Sequence, residues 1–281
     1  MPTGGAKGAL LFLPGRGDGY EKYLEAFVHW RDCGWQVTSV DWRGQAGSGR
    51  LGADPVTGHI GDFADWVDDL AAFWRDWAAD ACGPRVLAGH SMGAHIALRA
   101  VAEGKLAPDG LVLVAPMLGF HGPLPPAIMH AVARVMRRLG DPRRPAWKWS
   151  EKPGEPPASR AHLLTHDAEH YDDELWWRRE RPELVMGPGS WGWVERAYAS
   201  MRGLFAPGVL ERVKVPTIML ATSNDRLVTY DAVVAAAARL SNVELVSFGS
   251  EARHEILREA DPVRLRALDA IDAFLAKIVG R

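Results

Sequence analysis

Cysteine is nearly absent from this chain, with Cys33 and Cys82 the two in 281 residues. That excludes a disulfide scaffold, and neither sits in metal-ligand spacing, so both read as reduced packing residues. Excess charge of one sign is also missing: the net charge is -2. Such a balance leaves no basic face for nucleic acid, and Arg137-Arg138 with Arg143-Arg144 is too short a cluster to make one. No apolar run reaches the roughly 20 residues a membrane-spanning helix requires. Met1-Pro2-Thr3-Gly4-Gly5 shows neither the basic region nor the apolar core of a secretion signal, so a soluble cytoplasmic protein is expected. Repeats and low-complexity tracts are absent too. What the chain does have is a 47% hydrophobic content, enough to bury one large α/β core carrying an insertion. It also has 12 tryptophans, several in an otherwise irregular central stretch, which suggests an apolar surface under a lid.

Continuous apolar runs mark strands covered on both faces. Gly8 to Leu13 is one, closed by Pro14-Gly15; Trp35 to Trp42 reads as a second strand, followed by the glycine-rich turn Arg43 to Arg50. Arg85-Val86-Leu87-Ala88, Leu111 to Ala115, Pro216 to Ala221 and Val243 to Phe248 complete the set. Between them, helical spacing predicts helices over Glu21–Cys33, Ile60–Ala81, Ala94 to about Ala102, Asp231–Leu240 and Pro262–Ile278. In the second of these, Phe63, Trp66, Val67, Leu70, Phe73, Trp74 and Trp77 form the apolar side. Strands alternating with helices predict a doubly wound, mostly parallel sheet with right-handed crossovers. The alternation breaks between about Met117 and Val213, the predicted insertion.

Gly89-His90-Ser91-Met92-Gly93 lies between a strand and a helix, the context of a nucleophile elbow. A serine hydroxyl is a poor nucleophile near neutral pH. It needs a histidine to take its proton and a carboxylate to orient that histidine. In an elbow of this kind the partners follow in the order serine, acid, histidine. After His170 the one remaining histidine is His254, beyond the last strand, and it is the candidate base. Asp225, just past the strand ending at Ala221, is the candidate acid, against the plain reading of a turn aspartate. Asp231 suits a helix start, and Asp167 is out of order. His90 and His95 read as packing residues beneath the turn and on the core side of its helix. The backbone N–H of Met92 and that of Arg16, in the loop Pro14-Gly15-Arg16-Gly17-Asp18, are the expected oxyanion donors.

With these residues in place the chain resembles the α/β-hydrolase superfamily, and within it the lysophospholipase and monoacylglycerol lipase group. Leu13-Pro14-Gly15-Arg16-Gly17 is similar to that group's oxyanion loop, with Pro14 where histidine often stands. Asp41-Trp42-Arg43-Gly44-Gln45-Ala46-Gly47-Ser48 is similar to its Asp-x-Arg-Gly-x-Gly-x-Ser turn, with Ala46 replacing a glycine. The elbow and His254-Glu255-Ile256-Leu257 match its nucleophile and histidine segments. Leu164-Thr165-His166-Asp167 and Trp191-Gly192-Trp193 resemble bacterial lysophospholipase-like members in particular. The resemblance implies about six strands, because the usual leading β-hairpin has no counterpart here. It also implies a core formed by residues 1–116 and 214–281, with a helical cap over 117–213. In that family the cap admits an acyl chain, a role that would suit Trp147, Trp149, Trp176, Trp177, Trp191 and Trp193, which otherwise serve to hold cap to core.

The expectation is a serine hydrolase acting on carboxylic esters, with lysophospholipids or monoacylglycerols as substrates, needing no metal or organic cofactor. It leaves room for transient contact with a membrane surface through the cap. Fold and triad do not choose the substrate, so an aminopeptidase or amidase and an acyltransferase or thioesterase stand as alternatives. A non-catalytic ligand-binding protein of the same fold is an alternative of another class. An aminopeptidase would need carboxylates facing a substrate ammonium; Glu169, Asp172, Asp173 and Glu174 read instead as a solvated helix face.

Overall fold

A computed structural model describes residues 6–148 and 160–280. Its six strands are β1 (Gly8–Leu13), β2 (Trp35–Ser39), β3 (Arg85–His90), β4 (Gly110–Val114), β5 (Thr217–Thr222) and β6 (Val243–Phe248). They form one parallel sheet in the order β2-β1-β3-β4-β5-β6. Strand β2 ends at Ser39 rather than reaching Trp42, because Val40 to Trp42 leads into the following turn.

Alternate side chains of a strand point to opposite faces, and here the faces are sorted cleanly. Leu11, Leu13, Leu87, Leu111, Leu113 and Met219 pack on one side. There they meet α2 (Phe63–Asp80), α3 (Met92–Ala102) and α8 (Tyr230–Ala237). Leu10, Phe12, Val86, Ala88, Val112, Val114, Ile218 and Leu220 face the other way, against α1 (Leu24–Asp32) and α9 (Asp261–Val279). Asp62 caps α2 by accepting from the Ala64 N–H, leaving Phe63, Trp66, Val67, Leu70 and Trp74 as its buried stripe. Phe73 falls off that stripe and is exposed. The stretch between β4 and β5, irregular in sequence, carries α4 (Pro126–Arg138), α5 (Ala161–Leu164), α6 (Ala168–Glu180) and α7 (Trp191–Leu204).

The turn after β2 shows what the replacement of glycine by Ala46 does. Ala46 is buried and has φ of 43°, a left-handed conformation that strains any residue with a Cβ. Ala46→Gly relieves that strain while losing one buried methyl and adding chain entropy, so its stability should stay within about 0.5 kcal/mol of the parent. Ala97→Gly, in the buried middle of α3, has no strain to relieve and should cost about 1.5–2 kcal/mol. Urea midpoints of the two variants check the difference; equal losses would show that position 46 is unstrained.

Candidate active site

Ser91 follows β3 directly and precedes α3, with φ of 50° and ψ of -113°. The strained turn persists because its surroundings hold it. The Ser91 N–H donates to the Val114 carbonyl, and the Ser91 carbonyl accepts from His95 and Met117 N–H groups. A Cβ on Gly93 would sit 2.2 Å from the Leu13 carbonyl oxygen and 2.5 Å from that of Pro14. The elbow can therefore press against the loop after β1 only with glycine there. That loop is fixed in turn by Trp42 Nε1, which donates to the Pro14 carbonyl at 2.8 Å, and by Gln45 Oε1, which accepts from the Gly17 N–H at 2.7 Å. The place where a Cβ on Gly15 would lie is 3.3 Å from Ser91 Cβ, so the loop carrying Arg16 stands beside the nucleophile.

Asp225 and His254 meet across β5 and β6. His254 Nδ1 lies 2.6 Å from Asp225 Oδ2, while Asp225 Oδ1 accepts from the Leu227 and Val228 N–H groups at 2.8 and 3.0 Å. Burial pushes the Asp225 carboxyl up, but the His254 charge, its hydrogen bond and those two N–H donors outweigh it and hold the group below the usual carboxylate range. For His254 burial acts downward, and Asp225 reverses it, so the imidazole titrates above 6.5. An imidazole must be neutral to accept a proton. Therefore kcat/KM for an ester is expected to rise with pH through a midpoint above 6.5. Asp225→Asn removes the group that raises this midpoint, so the midpoint should fall and kcat should drop about 10⁴-fold. A pH profile of both proteins measures this; an unmoved midpoint in the variant would mean that Asp225 does not govern His254.

Ser91 and His254 line one cavity of about 620 Å³, together with Arg16, Met117, Phe120 and Val228. Trp147, Trp191 and Trp193 line it as well, and the Arg16 guanidinium lies over the rings of Trp147 and Trp193, 5.5 and 5.0 Å from their centroids. Trp176 and Trp177 are not brought there. They lie on α6 over a separate recess beside Lys22 and Arg258, because the α6 face that carries them turns toward α1 rather than toward Ser91. Trp149 lies outside the described residues.

Several residues around the site had no sequence signal of their own. His90 does pack under the turn, yet it also touches the base. Its ring centroid is 4.8 Å from that of His254, its Nε2 is 3.3 Å from the His254 carbonyl oxygen, and its Nδ1 is 2.7 Å from Tyr23 Oη. Tyr23 Oη in turn donates to Asp18 at 2.7 Å. Next to this chain of contacts is a buried ion cluster. Lys22 Nζ lies 2.9 Å from Asp18, 2.9 Å from Glu174 on α6 and 2.5 Å from Glu255, the residue after His254. Glu174 is thus no solvated residue: it is turned inward, whereas Glu169, Asp172 and Asp173 are exposed. The segment Leu164-Thr165-His166 docks on the histidine loop as well. The Leu164 carbonyl accepts from the Glu255 N–H, Thr165 Oγ1 donates to the Arg258 carbonyl, and the His166 N–H donates to Glu259. His95, fully buried against Ser200, is pushed down to about 3 by burial and by Arg99; it is a neutral packing residue away from the cleft.

Among the described residues, side chains with metal-ligand chemistry gather as His29, Cys33 and Asp272. They lie between α1 and α9, toward the end of the sheet opposite Ser91, and take no part in the cleft.

The chain is similar to known proteins in sequence and in fold. A family model described as serine aminopeptidase, S33 (Hydrolase_4), matches residues 4–261. Lysophospholipase L2 of Escherichia coli K12 is 31% identical over 94% of this chain and 79% of its own length. The probable lysophospholipase L2 of Haemophilus influenzae is 25% identical, over 98% and 86% respectively. In fold, the chain is similar to a monoglyceride lipase of Saccharomyces cerevisiae solved with a substrate analog. The TM-score is 0.78 at 18% identity, covering 99% of this chain and 88% of that one.

Proposed function

Because the chain belongs to the serine aminopeptidase S33 family of α/β-hydrolases, we propose that it hydrolyses carboxylic esters of single-chain lipids through an acyl-enzyme on Ser91. The observation that carries this reading is that the strained Ser91 and the Asp225–His254 pair open onto one largely apolar cavity. In the first half-reaction Ser91 Oγ attacks the acyl carbonyl and its proton passes to His254 Nε2. The alcohol then leaves with that proton. Water next attacks the acyl-enzyme, His254 takes its proton, and the fatty acid departs as the proton returns to Ser91. Backbone N–H groups of Met92 and Arg16 hold the oxyanion in both tetrahedral intermediates. Side chains, these backbone N–H groups and water supply every step.

Residues 117–213 act as the cap in this reading, and Trp147, Trp191 and Trp193 face the acyl chain. The carboxylates at the cleft argue against an aminopeptidase: Asp18 and Glu255 line it, but both are held by the Lys22 ammonium and are not left to bind a substrate amine. Arg226 at the cleft suits a phosphate, which favours lysophospholipids over monoacylglycerols. A panel of lysophosphatidylglycerol, a monoacylglycerol, p-nitrophenyl esters and an aminoacyl anilide tests the assignment. Esters should be cleaved with the anilide inert, and lysophosphatidylglycerol should lose more rate than monoacylglycerol on Arg226→Ala. Rapid anilide cleavage with inert esters would overturn it.

The cap also suits a lipid surface. Leu124, Ile128, Val132, Val135 and Leu139 project from one side of α4 and its flanks, each at least 42% exposed, while Met129 of the same helix lines the cleft. An apolar stripe followed by Arg137 and Arg138 in the last turn of the helix is the pattern of a helix that lies in an anionic membrane interface. Val135→Glu with Leu139→Glu should cut co-sedimentation with phosphatidylglycerol vesicles about tenfold, since each exposed leucine or valine contributes on the order of 1 kcal/mol of transfer. Unchanged sedimentation would place the contact elsewhere.

A further inference from the structure

A second cavity, of about 400 Å³, adjoins the cleft that holds Ser91. The same elements wall both. On α7, Val194 and Tyr198 face the first cavity, and Tyr198, Met201 and, just past the helix end, Phe205 face the second. These positions recur at intervals of three and four, so one helix face runs along both spaces. On α4, Met129 lines the first and Pro126, Ala127 and His130 line the second; after β5, Val228 lines the first and Thr229 the second. Phe120 and Tyr198 belong to both linings, and their rings meet edge to face with centroids 5.4 Å apart at 84°. The Phe120 backbone is fixed by a bridge to Val228, which aims the ring at Tyr198. The two apolar cavities thus share this ring pair as a common wall.

We propose that the second cavity is a binding subsite for the distal end of a long acyl chain, and that Phe120 is the specificity-determining partition that restricts entry to it. The inference rests on the ester-hydrolase reading above. An acyl chain attached through Ser91 has its reactive end fixed, so only its far end can reach from the first cavity toward the second. Each methylene group that moves from water into an apolar cavity strengthens binding roughly fourfold. With the Phe120 ring against Tyr198 that gain stops at the end of the first cavity; with the ring removed it continues into the second.

The test is kcat/KM for p-nitrophenyl esters from butyryl to hexadecanoyl, below their aggregation limits, in the full chain and in Phe120→Ala and Phe120→Leu. The ratio of tetradecanoyl to octanoyl turnover should rise at least about tenfold in Phe120→Ala and less in Phe120→Leu. Adding Ala232→Phe, which fills the second cavity from α8, should return the ratio toward that of the parent. A factor uniform across chain lengths, or a raised ratio that survives Ala232→Phe, overturns the proposal. If the parent cleaves no ester, the hydrolase reading fails by itself. The subsite is then tested by displacing a fluorescent fatty acid from the Ser91→Ala protein with fatty acids of graded length: a preference that Phe120→Ala leaves unshifted overturns it equally.

Discussion

Ser91→Ala is expected to lower kcat for any ester substrate by at least about 10³-fold and to abolish labelling by a fluorophosphonate. Removing the nucleophile leaves only the oxyanion donors and substrate binding to assist attack by water. Far-UV circular dichroism should be unchanged, because the hydroxyl is a side-chain hydrogen-bond partner to nothing that holds the turn; the backbone bonds to Val114, His95 and Met117 do that. Ser91→Gly separates chemistry from strain. It should be as inactive as the alanine variant but more stable than it by about 1 kcal/mol, because only glycine meets φ of 50° without a Cβ penalty. An alanine variant that keeps a substantial rate, or takes up the probe at another residue, would falsify the assignment of Ser91.

Lys22→Met is expected to have the largest effect on stability. The ammonium is 7% exposed and faces Asp18, Glu174 and Glu255. Its removal leaves buried carboxylates that the Arg258, Arg178 and Arg160 guanidinium groups neutralise only in part. Breaking a buried ion cluster from one side costs about 3–5 kcal/mol, which for a domain of this size lowers Tm by roughly 10 °C. The pH dependence identifies the cause. Burial raises Asp18 and Glu174, but Lys22 leads the groups that outweigh burial and hold both below the usual carboxylate range. A carboxylate with a depressed folded value stabilises the protein above its unfolded value, near 4, and loses that contribution as pH falls through the folded one. In the variant these acids can take up protons in the folded state, so the Tm gap between the proteins should be widest near pH 7 and should narrow toward pH 4.5. A gap independent of pH would trace the loss to packing rather than charge. Because the cluster joins Glu255, next to His254, to α6, the variant should also lose ester turnover at temperatures where it remains folded.

Much of this was legible from local pattern. Five of the six strands begin and end within about two residues of where the sequence pattern and its bounding turns put them, β2 being the exception, and the four central ones are buried as a covered parallel sheet requires. Glycine, serine and a strand-to-helix context located the elbow, and chain order singled out Asp225 and His254. Other features had no local signature. Lys22 is one charge in a helical run, and its partners Glu174 and Glu255 are remote in sequence. Glu174 lies in an acidic stretch whose neighbours are solvated, so nothing nearby marks it as buried. Trp176 and Trp177 resemble Trp191 and Trp193 in the sequence, yet they face a different recess.

The sequence by itself determined where most strands lie, the elbow and the identities of a hydroxyl, a carboxylate and an imidazole suited to acyl transfer. These depend on the two-residue period of strands, on turn stereochemistry and on the intrinsic acidity of each group, all of which act over a few residues. Only the tertiary structure decided that Asp225 holds His254, that Lys22 ties α6 to the histidine loop, and that the Phe120 and Tyr198 rings stand between two apolar cavities. Those facts arise from crossovers that bring distant residues within hydrogen-bonding or van der Waals range, where charge pairing and packing act through space without regard to position in the chain.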